Sequence, residues 1–258
     1  MISQAELKRL RALQQKKFRG ESGRFLEQGR KVVVELLQST CRVETILATE
    51  EAAAWIRPEA LPRKVPVQIL ASHELDKIGT FEKGNELIAI AITPDEPAFR
   101  APAAGELMFA LDGVRDPRNM GGLLRIADWF GVKRVLCSHD CMEVYNPKAV
   151  QSTMGSLFHL EIRHANLASE LAQLAATGTR VFVADMDGTP VYEAKLARPA
   201  VLVLGSESHG LSQAVSQMSA KVISIPRLGS AESLNVAMAA AALCTEFARQ
   251  AGTSGQAG

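Results

Sequence analysis

The sequence predicts an α/β protein in two parts: a small N-terminal α/β domain over residues 1–93 and, over 106–250, a mostly parallel sheet with helices on both faces. Strand-like apolar runs alternate with helix-like segments along the chain, the pattern of a parallel α/β sheet. Val181–Ala184 and Val201–Leu204 are continuously apolar, as strands covered on both faces are. Between the two parts, Thr93–Ala104 holds Pro94, Pro97 and Pro102 with two acids, and residues 94–105 read as a linker.

In the first part, Leu7, Leu10 and Leu13 recur at helical spacing across Ala5–Gln15. Arg24–Glu27 reads as a strand, and Gly29–Leu37 as a helix that turns Val33, Leu36 and Leu37 inward. Val43–Ala48 and Val67–Leu70 follow as strands, Glu50–Ile56 and Glu74–Ile78 as helices, and Leu87–Ile92 as a buried strand. The second part opens with the apolar strand Leu107–Leu111, which ends at Asp112-Gly113. Helices are expected over Gly122–Phe130, Pro147–Met154 (proline at its start), Leu167–Ala176 and Ser233–Gln250. Arg134–Cys137 and Val222–Ile225 supply further strands, and the Gly/Ser-rich end, Ala251–Gly258, reads as a disordered tail. Drawn from this pattern alone, the second part is a Rossmann-like sheet.

With 47% apolar residues, a chain of 258 can bury a sizeable core. Its net charge of +1 speaks against a simple polybasic nucleic-acid binder and against an acidic solvating tail. The charge is unevenly spread, however. Residues 1–40 hold nine Lys/Arg against four Glu, a net of +5 that leaves −4 for the rest. The asymmetry points to a polyanionic partner near the N-terminus, or to a solvated basic helix face. Met1–Gly20 lacks the apolar core of a secretory signal, and the apolar stretches Leu87–Ile92 and Val236–Cys244 are too short to span a bilayer. No membrane partner and a cytoplasmic location are therefore expected. Cys41, Cys137, Cys141 and Cys244 are dispersed, which suits reduced cysteines. Cys137 and Cys141 flank His139 and Asp140, but a second clustered ligand pair is missing, so no metal is expected.

Polar and glycine residues of the second part gather at the C-terminal ends of its strands, the edge where open α/β sheets bind ligands. The first such loop is Asp112-Gly-Val-Arg-Asp-Pro-Arg-Asn-Met-Gly-Gly-Leu-Leu-Arg125. Asn119 is placed to cap the next helix, with Arg125 about one turn in. That guanidinium suits a phosphate or a polarised hydroxyl, and equally a structural ion pair. In the second loop, Leu204-Gly-Ser-Glu-Ser-His-Gly-Leu211, Gly205 and Gly210 permit close backbone approach and Ser212 can cap the next helix. Neither G-x-G-x-x-G nor a P-loop is present, and His209 reads as exposed as readily as catalytic. The third loop is Ile225-Pro-Arg-Leu-Gly-Ser-Ala-Glu-Ser-Leu-Asn-Val236. On a structural reading Ser233 caps an Ala- and Met-rich helix, and Asn235 is an ordinary first-turn residue. Three strand-end loops offering polar groups to one edge are read more economically as a site than as coincidence.

Asn119-x-x-Gly-x-x-Arg125, Gly205-Ser-Glu207-x-x-Gly210-Leu and Ile225-Pro226 followed by Ser233-Leu-Asn235-Val resemble, in order and separation, the three motifs of the SpoU (TrmH-type) RNA ribose 2′-O-methyltransferases of the SPOUT superfamily. The likeness covers about residues 106–250. More loosely, the N-terminal part, with Lys16–Arg19 and Phe25-Leu-Glu-Gln-Gly-Arg30, resembles the family's substrate-binding domain, related to ribosomal-protein-like RNA binders. That resemblance implies RNA contacts by Lys16, Lys17, Arg19, Arg24 and Arg30. For the second part it implies a C-terminal trefoil knot, a topology that general rules make rare. It also implies S-adenosylmethionine as cofactor, held through Leu204, Gly205, Gly210, Ile225 and Leu234, with the loop at Ala184–Gly188 contributing. Catalysis falls to Arg125, with Asn119, Glu207, Ser233 and Asn235 completing the site and no metal taking part. A homodimer packed through the last helix is implied as well, Ala237–Leu243 being rich in small residues.

The implied reaction is an in-line displacement in which a ribose 2′-hydroxyl attacks the sulfonium methyl. A guanidinium hardly deprotonates in proteins, so Arg125 is expected to stabilise the developing alkoxide or grip the adjacent phosphate. Ribosomal RNA is the expected substrate, with transfer RNA as an alternative. Two further readings stay open: methylation of a base nitrogen with the same fold and cofactor, and a non-catalytic RNA-binding or ribosome-assembly protein.

Overall fold

A computed structural model describes residues 2–56, 64–81, 84–206 and 210–254 of the chain. Its first elements, in chain order, are α1 (Gln4–Ala12), α2 (Lys16–Ser22), β1 (Arg24–Gln28), α3 (Arg30–Gln38), β2 (Val43–Ala48), α4 (Glu50–Ala53), β3 (Val67–Ile69), α5 (Ser72–Ile78) and β4 (Leu87–Ile92). They continue as β5 (Leu107–Asp112), α6 (Pro117–Trp129), β6 (Arg134–Ser138), α7 (Pro147–Thr153), β7 (Glu161–Ala165) and α8 (Leu167–Ala176). The last are β8 (Arg180–Pro190), β9 (Ala200–Gly205), α9 (Gln213–Ser216), β10 (Lys221–Ser224) and α10 (Val236–Ser254). These form two compact units, Met1–Asp95 with Glu143–His159, and Glu96–Met142 with Leu160–Gly258.

The first unit is a mixed four-stranded sheet in the order β1-β4-β2-β3. β4 runs antiparallel to both β1 and β2, and β3 lies parallel to β2. The central strand Leu-Ile-Ala-Ile-Ala-Ile sends alternate residues to two apolar layers. One layer joins Phe25, Ala89 and Ala91 to Val33 and Leu36 of α3; the other joins Leu26, Ile88 and Ile90 to Leu7 of α1 and Leu75 of α5. Residues 143–159 complete the first layer, although the sequence reading places them in the middle of the second domain. The Phe25 ring lies 4.7 Å from Tyr145 and 6.4 Å from Phe158. Gly155, at φ +100°, is held so close that a Cβ there would stand 2.8 Å from Glu35 Cγ. α2 is a helix the periodicity did not predict; Gly23 ends it in the left-handed conformation.

The second unit is a six-stranded, wholly parallel sheet in the order β10-β8-β9-β5-β6-β7. Met108, Ala110, Val201 and Val203 pack against Leu171 and Leu174 of α8 on one face. Towards the other, α10 packs on α6 and β9, with Phe247 set edge-on to Phe182 at 5.4 Å. Four local expectations are corrected. β7, an edge strand reading Glu-Ile-Arg-His-Ala, was not expected. β8 continues beyond Ala184 through polar residues to Pro190 because β10 pairs alongside it, with a register shift after Val222. α10 begins at Val236, not Ser233, and runs to Ser254 through part of the expected tail; the remainder lies outside the described residues. α6 begins five residues before the expected Gly122. Among the described residues no helix is long and apolar enough to cross a membrane.

Candidate active site at the strand ends of the second unit

β5 is buried from end to end, and its last residue, Asp112, stands opposite Gly205, the last residue of β9. The chain leaves β5 through Gly113 at φ +66°, whose N–H donates to Ser138 Oγ at 2.9 Å. Ser138 donates in turn to Asp140 at 2.6 Å, and Arg115 donates to the other oxygen of the same carboxylate at 2.7 Å. The Ser138 hydroxyl, then Arg115, hold the Asp140 carboxyl below its usual range. Beyond this braced turn, Asp116 Oδ1 accepts from the N–H groups of Arg118 (2.8 Å) and Asn119 (2.9 Å), and Pro117 fills the first helical position. This Asp-Pro cap explains the early start of α6. Asn119 is thus a first-turn residue and not the cap, and Arg125 lies more than two turns in, not one. Arg118, Gly122, Arg125 and Trp129 share one helical stripe, on which both arginines and the tryptophan are exposed. Among the described residues Arg125 is exposed, and no hydrogen bond or ion pair is found for it there.

Asn235 caps α10. Its Oδ1 accepts from the N–H groups of Ala237 (3.0 Å) and Met238 (3.3 Å), while its Nδ2 donates to Asn119 Oδ1 at 2.9 Å. The cap is therefore Asn235 and not Ser233, which is exposed in the loop before it. Around this bond the helices approach closely: a Cβ on Gly122 would lie 3.3 Å from that of Ala237. The first and third loops, 116 residues apart in sequence, meet at one side-chain pair.

The second loop is pinched at its neck. Ser206 and Gly210 exchange two backbone hydrogen bonds of 2.9 Å, and a Cβ on Gly205 would sit 2.6 Å from the Gly210 carbonyl oxygen. Glu207 and His209 lie outside the described residues. Leu204 is buried at the end of β9, and Ala184 follows Val183, the last residue of β8 paired with β9. Ile225, half-buried, directly follows β10, and Leu234 is half-exposed just before the Asn235 cap. Gly188 is pressed against the backbone of Val222 and Ile223, and its carbonyl accepts from Ser224 Oγ at 2.8 Å. The thiols of Cys137 and Cys141 are buried whereas His139 and Asp140 are exposed, so the four do not converge.

The first unit holds the basic candidates. Lys16, Lys17 and Arg30 are exposed, Lys17 within 3.9 Å of Glu21 and Arg30 over the Trp55 ring at 5.5 Å. Arg24 is held by Glu44 through two hydrogen bonds. Arg19 corrects the expectation of an RNA contact. Only 2% exposed, it grips both oxygens of Glu143 at 2.8 and 2.6 Å and donates to the Leu13 carbonyl. Its charge is satisfied inside the unit.

A profile of the SpoU rRNA Methylase family matches residues 106–245, which include all three loops, and one described as an MRM3-like substrate binding domain matches residues 4–89. The chain belongs to the SpoU rRNA methylase family. A 23S rRNA (guanosine(2553)-2′-O)-methyltransferase of Bacillus subtilis is 30% identical to this SpoU methylase, over 92% of the chain and 94% of the relative. A 23S rRNA (uridine(2479)-2′-O)-methyltransferase of Streptomyces viridochromogenes is 29% identical over 90% and 85%. Among solved structures, a TrmH-family protein from Porphyromonas gingivalis superimposes with a TM-score of 0.87 at 36% identity, covering 97% and 99% of the two chains. The SpoU methyltransferase AviRb from S. viridochromogenes, in complex with AdoMet, gives 0.86 at 28% identity over 96% and 98%.

The strand ends of this SpoU methylase fit such a cofactor chemically. The neck at Gly205 has space for backbone alone, and the flanking Leu204, Ile225 and Leu234 are apolar. Backbone amides and apolar side chains are what an adenosine and an aliphatic sulfonium ask of a protein. Sequence reasoning missed Arg115, Ser138 and Asp140, which brace the first loop, and Asp112, whose carboxylate accepts from the Ser212 N–H beyond the second; the Asp112-Gly113 step was visible only as a strand end.

Proposed function

We propose that this SpoU methylase transfers a methyl group from S-adenosylmethionine to a ribose 2′-hydroxyl of ribosomal RNA. The observation that carries the reading is the Asn119–Asn235 hydrogen bond, which fixes the helix bearing the exposed Arg125 against the third-motif loop. When bound, S-adenosylmethionine supplies an electrophilic sulfonium methyl. Leu204, Gly205, Gly210, Ile225 and Leu234 would hold it, with Ala184 contributing. Arg125 keeps its charge and meets the developing alkoxide or the phosphate beside it, and the hydroxyl proton leaves to water. Asn119 and Asn235 act as a strut between the two motif helices, and Glu207 and Ser233 complete the site. Lys16, Lys17 and Arg30, with part of Arg24, contact RNA phosphates. A cytoplasmic location is part of this reading.

Two finer statements belong to the same reading. The TM-scores of 0.87 and 0.86 support extending the family's trefoil knot to this chain. Trp129 on α6 and Met238 on α10, 83% and 67% exposed on helices that pack together, support a homodimer through this face, which light scattering of the purified protein tests. For the reaction, ribosomal RNA from a deletion strain is incubated with methyl-labelled S-adenosylmethionine and the enzyme, then digested to nucleosides. A labelled 2′-O-methylnucleoside is expected. Label on a base would establish base methylation instead, and RNA binding without cofactor binding would establish a non-catalytic role.

A further inference from the structure

We infer that Asp112 is a positioning residue for the cofactor, acting as the clasp of the Gly205–Ser212 connection; the inference rests on the reading of Gly205 and Gly210 as cofactor-binding. Asp112 ends the central strand β5 and is 4% exposed, a carboxylate at a depth where acids are rare unless they hold something. Both ends of the connection come to this one residue. Gly205 enters it as Asp112's partner in the β5–β9 register. Ser212 leaves it with its backbone N–H donating to Asp112 Oδ2 at 2.7 Å, a hydrogen bond spanning 100 residues of sequence. Between these anchors the Ser206–Gly210 bridge draws the neck shut, and Gly205 has no space for a side chain.

The arrangement closes a loop with a buried acceptor instead of a further strand. A charge-assisted bond that a fixed carboxylate accepts from one amide is stronger than a neutral one and sets a single distance between the loop ends. The neighbouring Gly113–Ser138–Asp140–Arg115 chain braces the residues after Asp112, so the clasp is mounted on a rigid support. Without the carboxylate, Ser212 loses its acceptor and the backbone groups of Gly205 and Gly210 must be ordered when the cofactor binds. That ordering cost lowers cofactor affinity and leaves the reacting groups on α6 untouched.

The test compares wild type with Asp112→Asn and Asp112→Ala, using S-adenosylhomocysteine as the calorimetric probe and hydrogen exchange over residues 205–212. In wild type the probe protects amides of this segment. Asp112→Ala weakens binding about tenfold or more, the scale of a lost charge-assisted hydrogen bond. Asp112→Asn, which keeps an acceptor without the charge, falls between and serves if the alanine variant does not fold. In turnover assays KM for S-adenosylmethionine rises by a similar factor, while kcat falls much less. A folded variant with wild-type affinity and wild-type exchange at 205–212 overturns the clasp alone. If the probe fails to protect 205–212 in wild type, the assignment of the cofactor loop falls, and the inference with it.

Discussion

The two units use polar residues in opposite ways. In the second, polar side chains stand at the open ends of parallel strands, braced by hydrogen bonds that leave Arg125 exposed. In the first, several are taken up by partners of the same unit: Arg19 is locked to Glu143 in the interior and Arg24 to Glu44 at the surface, and Glu27 is buried with one oxygen that has no partner among the described residues. Charge counted along the first 40 residues therefore overstates what RNA can meet, whereas the single arginine of the second unit's first motif is fully available.

That contrast can be broken at either end. Arg125→Ala is expected to lower the methylation rate by about 10²–10³-fold, the scale of removing one preorganised charge from a transition state. Cofactor affinity should stay the same, and Arg125→Lys should recover only part of the rate because the bidentate fork is gone. Unchanged turnover in Arg125→Ala would make this exposed charge as idle as a surface lysine. Glu143→Ala leaves Arg19 charged and buried, and thermal or urea unfolding should show a loss of about 3 kcal/mol.

Glu27 gives a pH-dependent contrast. Burial pushes its carboxyl up to about 8, against the lesser effect of the Gln28 N–H bonded to it. Between pH 4.5 and about 8 the folded chain keeps a proton that the unfolded chain has lost, so this residue's contribution falls as pH rises through that window. Glu27→Gln should flatten that dependence, so that its stability relative to wild type rises between pH 4.5 and about 8, read from urea unfolding at a series of pH values. Asn235→Ala removes a helix cap and the partner of Asn119, for about 1–2 kcal/mol and a reduced methylation rate. The smallest effect is expected at Lys17: its replacement by alanine should lower the salt slope of RNA binding by about 0.7–0.9, while Arg19→Met should leave the slope unaltered.

Local signals made most of the scaffold readable. Leu87–Ile92 and Leu167–Ala176 are found with the bounds their apolar patterns suggest, because burial dictates both pattern and element. Where a rule of local chemistry competed with another, the reading slipped. Gly121-Gly122 drew the start of α6 downstream, although Asp116-Pro117 is the stronger cap. Ser233 outranked Asn235 as a cap for the same reason, and only the partnership with Asn119 explains the choice the fold makes. β7 and α2 are short and carry charged residues, so neither has a long apolar stripe to reveal it. The motif residues of the site were legible as types and spacings, but the bonds among them are long-range and leave no trace in any local window.

Tyr145 and Phe158 lie 120 and 133 residues beyond Phe25, the ring they cover in the first unit's core. Recombination that exchanges residues 1–95 between relatives as a cassette would hand the newcomer a foreign lid over that ring and a foreign acid for Arg19. The first unit is thus encoded by two stretches of gene whose core contacts change together. A chimera that exchanges this unit whole needs both stretches, because the shorter one, 143–159, carries the rings over Phe25 and the acid that Arg19 grips.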